Sequence, residues 1–90
     1  MVMSKIPVYF MPGLAASPTI FENIKLPEDQ FEMHFLEWFL PTDKESIESY
    51  ALRMTEKIQD ENPVLVGVSF GGVLVQEMAK QMKVRKVIII

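Results

Sequence analysis

The chain has 90 residues with nine Lys and Arg against twelve Asp and Glu, a net charge of −3, and so presents no basic face suited to nucleic acid. It contains no cysteine and one histidine, which excludes disulfides, argues against a zinc site and favours a reducing, cytoplasmic location. We expect no metal and no cofactor. Hydrophobic residues make up 49% and charged residues 23%, the composition of one small folded domain.

The first half of the chain contains two predicted strands with a short helix between them. The first strand, Ile6–Met11, is bulky and apolar and stops at a Pro-Gly pair, which is typical of a turn. A short helix is predicted from Ser17, a common capping residue followed here by proline, to about Ile24. The second strand is predicted at residues 31–39.

The second half repeats the alternation of helix and strand. A helix is predicted from Thr42, which forms a capping box with an acidic residue three positions later, to about Asp60. A strand at residues 64–68, a helix at 70–82 and a strand at 84–90 follow. The two strands are continuously apolar, which indicates burial on both faces of a parallel sheet. We therefore predict an α/β fold, with a parallel sheet of about four strands between two layers of helices.

The apolar segments are too short to cross a membrane. The longest, residues 63–75, falls below the length of about 18 residues that a spanning helix needs, and it contains three glycines. We expect no membrane span.

Residues 67–71 read Gly-Val-Ser-Phe-Gly and fit the pattern G-x-S-x-G directly between a predicted strand and a predicted helix. This context is that of a nucleophile elbow, which exposes a serine hydroxyl, here that of Ser69, at a strained turn. Gly67, Gly71 and Gly72 would allow the strand and helix backbones to approach closely. The other interpretation is that Ser69 only caps the helix and the glycines only pack it.

The elbow and the order of the elements resemble the α/β-hydrolase family from its third strand onward, over essentially the whole chain. The resemblance implies that the strand before the elbow lies beside Ile6–Met11, with the strand at 31–39 on the outer side of the latter. Ligands enter such a sheet at the carboxyl ends of its strands. The resemblance also implies that Ser69 attacks a carboxylic ester or thioester, so a small ester or acyl compound is the expected substrate.

The resemblance further implies an oxyanion hole made of two backbone N–H groups. One belongs to Phe70, at the positive end of the helix. The other would belong to Leu14, in the loop where Gly13 allows a close turn. The family usually has His-Gly at this point, and here Pro12 replaces the histidine. Alternatively, this Pro-Gly pair is a plain turn.

The remaining members of a catalytic triad are missing from this sequence. In the family an acid and then a histidine follow the serine, but after Ser69 the only acid is Glu77, expected to face solvent, and there is no histidine. His34 lies within a predicted strand and is expected to be buried, neutral and bonded to the backbone. We therefore expect residues 1–90 to be the N-terminal half of a single hydrolase domain and to be inactive alone.

Two questions stay open at this point. The chain is interpreted as part of a serine hydrolase, and the alternative is a non-catalytic protein of the same fold that holds a small ligand in its crevice. Phe35, Trp38 and Phe39 either flank a ligand or pack at the core or the sheet edge, and packing is the expectation. The sequence gives no indication of the oligomeric state.

Overall fold

The computed structural model describes residues 5–14, 16 and 18–90. Its sheet consists of β1 (Ile6–Met11), β2 (Phe31–Phe35), β3 (Val64–Gly67) and β4 (Lys86–Ile89). The strands are ordered β2-β1-β3-β4, and every neighbouring pair is parallel. The predicted parallel sheet is confirmed, with the strand before the elbow beside β1 and β2 on the outer side of β1.

The helices are α1 (Ile47–Thr55) and α2 (Phe70–Ala79). Helix α1 begins later than predicted because Ser46 is its N-cap: the Ser46 backbone is extended and its hydroxyl accepts the N–H of Ser49 at 3.1 Å. Thr42 is not the cap. Its N–H donates instead to a carboxylate oxygen of Glu45 at 2.9 Å, in a turn that precedes the helix.

Other boundaries also differ from the predictions. The short helix is a 3-10 helix at Pro18–Phe21, and the predicted cap Ser17 lies outside the described residues. Strand β2 ends at Phe35, four residues early, because its partner β1 ends at Met11. The last contact between them is the N–H of Leu36, which donates to the carbonyl of Phe10 at 2.8 Å. Helix α2 stops at residue 79 and β4 starts at residue 86.

Two apolar clusters cover the two faces of the sheet. Both α-helices lie on one face, where buried residues such as Met54 of α1 and Leu74 of α2 pack with Leu65 of β3. Within the described part of the chain, the 3-10 helix lies on the opposite face, where its Phe21 packs against Phe10. The small α/β fold is thus observed, and the second helical layer remains a prediction. None of the described helices has the length and hydropathy of a membrane span.

Candidate active site

Ser69 joins β3 to α2 in an unusual backbone conformation, with φ 56° and ψ −125°. A positive φ is rare and costly for a residue with a Cβ atom. Its side chain makes no capping hydrogen bond to α2, whereas the true cap Ser46 has an extended backbone and does cap α1. Ser69 is therefore not an ordinary N-cap, and its hydroxyl is not used by the helix.

The glycines around Ser69 lie where backbones touch. A Cβ atom on Gly67 would be 2.6 Å from the Cα of Gly72, and one on Gly71 would be 2.5 Å from the carbonyl oxygen of Met11. A Cβ on Gly72 would lie 2.8 Å from the Cγ2 methyl of Ile89 and 3.6 Å from the carbonyl oxygen of Gly67. The first two positions exclude any side chain because rigid backbone would have to move, while at the third the branched side chain of Ile89 would have to shift.

Gly13 brings the loop after β1 to Ser69. A Cβ atom on Gly13 would lie 3.6 Å from the Cβ of Ser69 and 3.7 Å from the carbonyl oxygen of Val68. These are ordinary contact distances, and Gly13 has no positive φ. The contacts at Gly13 would therefore leave room for a Cβ atom, and the close approach of this loop to Ser69 does not depend on a glycine for steric reasons.

The two expected oxyanion donors are free within the described part of the chain. The hydrogen bonds of the described residues include none donated by the backbone N–H of Leu14 or of Phe70. By contrast, Ser69 itself donates its N–H to the carbonyl of Ile90 at 3.2 Å, and Val68 donates to Met11 at 3.1 Å. The strand ends are thus tied together by hydrogen bonds, while no described residue accepts a hydrogen bond from either of these two donors.

The side chains of the same two residues, Leu14 and Phe70, line an open groove of about 300 Å³. They are 66% and 41% exposed. Trp38, Phe39 and Tyr50 form much of the remaining wall. An apolar ligand group would find mostly carbon surface here.

Trp38 does more than pack, and sequence reasoning missed this. Its indole N–H donates to the carbonyl oxygens of Gly13 at 2.8 Å and of Pro12 at 3.1 Å, and its ring stacks on that of Phe70 with centroids 5.9 Å apart. The residues that it bridges are far apart in the sequence, so no local pattern indicates the contact.

One acid, Glu45, also lines the groove. It forms a bidentate pair with Arg53, at 2.8 Å to Nε and 2.6 Å to Nη2. The hydrogen bonds from Arg53, and secondly one from the backbone of Thr42, lower the pKa of Glu45 to about 2. Glu45 is thus a carboxylate committed to structure and is a poor candidate for a general base.

His34 does not lie where a base for Ser69 is needed. Its Nε2 is 2.6 Å from a carboxylate oxygen of Glu32 and 3.5 Å from one of Asp60, and its ring stacks on Tyr9 at 4.5 Å. None of its described contacts is with Ser69. The side chain is 34% exposed, so the expectation of a buried histidine bonded to the backbone is wrong.

The same residues form a cluster of three candidate metal ligands. Ligand atoms of Glu32, His34 and Asp60 lie within 4.8 Å of one another. They already bind neighbours, since His34 contacts Glu32 and the hydroxyl of Tyr9 donates to Asp60 at 2.6 Å. The cluster is partly exposed, and the absence of a metal remains a prediction.

Glu77, the other acid considered from the sequence, lies on α2. It pairs with Lys80 at 2.9 Å, and its side chain is only 17% exposed. The expectation that Glu77 faces open solvent is therefore wrong. The ion pair at one-turn spacing gives it a structural role on the helix surface.

No family model, curated protein or solved structure matches this chain. Its function is therefore argued from the geometry around Ser69.

Proposed function

We propose that the chain supplies the nucleophile and the oxyanion hole of a serine hydrolase of the α/β-hydrolase type, acting on carboxylic esters or thioesters. The observation that carries the proposal is the backbone of Ser69, with φ 56° and ψ −125° between a buried strand and a helix. A sequence retains such strain where the surrounding structure imposes it, and functional sites are the usual places. In this proposal further helices complete a three-layer fold on the second face of the sheet.

The chemistry begins with attack of the Ser69 hydroxyl oxygen on the substrate carbonyl carbon. The carbonyl oxygen becomes an oxyanion, which the N–H groups of Phe70 and Leu14 hold, aided by the positive end of α2. Collapse of the tetrahedral intermediate breaks the bond to the alcohol or thiol leaving group, which takes up a proton. Water then attacks the acylated Ser69, releasing the carboxylic acid and restoring the hydroxyl.

A general base has to remove the proton from Ser69. Residues 70–90 contain no histidine, His34 contacts other partners, and Glu45 is held by Arg53. The proposal therefore requires a base and its acid partner from polypeptide outside residues 1–90.

The groove supports the choice of substrate class. Its walls include Leu14 and Phe70, whose backbone N–H groups would hold the oxyanion. When a substrate carbonyl binds at Ser69, an apolar group attached to that carbonyl would therefore extend toward the groove. A volume of about 300 Å³ is at the lower end of ligand pockets, which favours small or medium apolar groups.

Fluorophosphonate labelling of the complete gene product that contains residues 1–90 tests the proposal. We expect the label on the peptide carrying Ser69, and turnover of p-nitrophenyl butyrate that disappears in Ser69→Ala. Ser49→Ala is the matched control, because Ser49 is an exposed serine outside the groove, and it should retain label and turnover.

The alternative, a non-catalytic ligand-binding protein, gives a different result in the same experiment. In that case Ser69 takes no label, and small apolar esters bind equally well to the wild type and to Ser69→Ala. That outcome would overturn the hydrolase proposal.

A further inference from the structure

The carbonyl oxygen of Gly13 is held by two donors. The indole N–H of Trp38 reaches it at 2.8 Å and the backbone N–H of Ala16 at 2.9 Å. The same indole N–H also contacts the carbonyl of Pro12 at 3.1 Å. The loop after β1 is thus tied to a side chain from the segment that follows β2.

This tether acts directly on the expected oxyanion donor. The carbonyl of Gly13 and the N–H of Leu14 belong to one peptide unit, which is planar and trans, so the two groups point in opposite directions. When the carbonyl is held toward Trp38, the direction of the Leu14 N–H is set as well. Gly13 lacks a Cβ atom and has wide backbone freedom, so the hydrogen bond from Trp38, together with that from the N–H of Ala16, restricts this peptide to one orientation.

Trp38 is itself held from two sides. Its ring stacks on Phe70 with centroids 5.9 Å apart and packs on Tyr50 at 5.7 Å. The next residue, Phe39, is fixed because its N–H and carbonyl both bond to the hydroxyl of Tyr50, at 2.9 Å and 2.6 Å. One indole therefore connects the residues of both oxyanion donors.

We propose that Trp38 is a positioning residue, which orients the Leu14 N–H toward the oxyanion through its hydrogen bond to the Gly13 carbonyl. This inference rests on the proposed hydrolase function. Because the donor acts mainly in the transition state, losing its orientation lowers kcat and leaves KM largely unchanged. Deleting an oxyanion donor costs about 10²–10³-fold in kcat, so misorienting one should cost about 10- to 100-fold.

The test uses two replacements of Trp38 in the complete gene product. Trp38→Phe keeps an aromatic ring against Phe70 and deletes the N–H, and β-(3-benzothienyl)alanine at position 38 deletes the N–H with nearly unchanged shape. Tyr9→Phe is the control, because it removes a partly buried hydrogen bond from β1 away from the groove. The readouts are kcat and KM for p-nitrophenyl butyrate, the Kd of butylboronic acid, whose serine adduct mimics the oxyanion, and the melting temperature.

Both replacements should lower kcat and weaken boronate binding by similar factors, with KM nearly constant. Tyr9→Phe should lower only the melting temperature. Unchanged kcat in the benzothienylalanine variant overturns the inference. The inference is also overturned if kcat falls only as far as the melting temperature falls while the Kd of butylboronic acid is unchanged, because Trp38 would then have a merely structural role. A wild type without Ser69-dependent turnover is a separate result, which overturns the hydrolase proposal and this inference with it.

Discussion

The backbone of Gly71 lies directly against the carbonyl oxygen of Pro12, so closely that a Cβ atom on Gly71 would overlap with it. This contact joins the first turn of α2, which follows Ser69, to the loop that carries Leu14. The two expected oxyanion donors are thus connected by backbone packing as well as by the indole of Trp38. A change at the contact should disturb the loop and the helix together.

Gly71→Ala should destabilise the protein and reduce turnover, because the added methyl group meets the carbonyl oxygens of Pro12 and Met11. Overpacking of this kind costs about 1–3 kcal/mol. Gly13→Ala is the matched control for stability, since its Cβ would meet only ordinary contacts. Urea unfolding of both variants measures the difference, and equal midpoints would contradict the packing argument.

Ser69→Gly should be more stable than Ser69→Ala, although neither should turn over substrate. The positive φ of Ser69 strains any residue with a Cβ atom, and glycine adopts it freely. Relief of about 1–3 kcal/mol of strain is partly offset by the extra freedom of glycine in the unfolded chain, which leaves a gain of about 1 kcal/mol. Denaturant unfolding compares the two variants directly. If Ser69→Ala is equally stable, the elbow stores no strain.

The parallel sheet and the elbow were predictable because both follow from local patterns, whereas the order of the strands was expected from the family resemblance. Alternating strands and helices leave few right-handed parallel arrangements, and the G-x-S-x-G motif lies within residues 67–71. The end of β2 was not predictable in the same way. The apolar pattern continues to Phe39, but β1 ends at Met11. Leu36 is therefore buried in the cluster under the helices, with Trp38 and Phe39 partly buried against it, instead of pairing as a strand.

The start of α1 and the role of Trp38 depend on tertiary contacts. Thr42 and Ser46 are both of residue types that commonly cap helices, but only Ser46 caps α1. Glu45, the acid of the predicted capping box, is also bound by Arg53, eight residues later. That spacing falls outside the one-turn pairs that sequence rules use. The contact of Trp38 with Gly13 spans 25 residues, and it exists only once β1 and β2 have paired.

Deprotonation of Tyr9 should lower the free energy of unfolding at high pH. Burial, and secondly its hydrogen bond to Asp60, raise the pKa of Tyr9 from 10.0 to about 12. A group whose pKa is raised on folding contributes its full stability below the unfolded value and loses it as pH rises to the folded value. The loss attributable to Tyr9 should therefore occur between pH 10.0 and about 12. Unfolding free energies across this window should show a steeper decline in the wild type than in Tyr9→Phe, and parallel curves would contradict the assignment.

Protonation of Glu45 should lower the free energy of unfolding at low pH. Arg53 holds the pKa of Glu45 at about 2, against 4.5 in the unfolded chain. A carboxyl group whose pKa is lowered on folding stabilises the protein above its unfolded pKa, and this contribution is lost as pH falls from 4.5 toward about 2. Glu45→Gln should remove this part of the acid dependence, while Glu48→Gln, at a neighbouring position on the first turn of α1, should preserve it. Acid unfolding of the three proteins, followed by circular dichroism at low and high salt, is the measurement.

Because the pair is bidentate and the side chain of Glu45 is only 2% exposed, the difference between wild type and Glu45→Gln should persist at high salt. A difference that disappears with salt would place the carboxylate in open solvent and contradict the enclosed geometry.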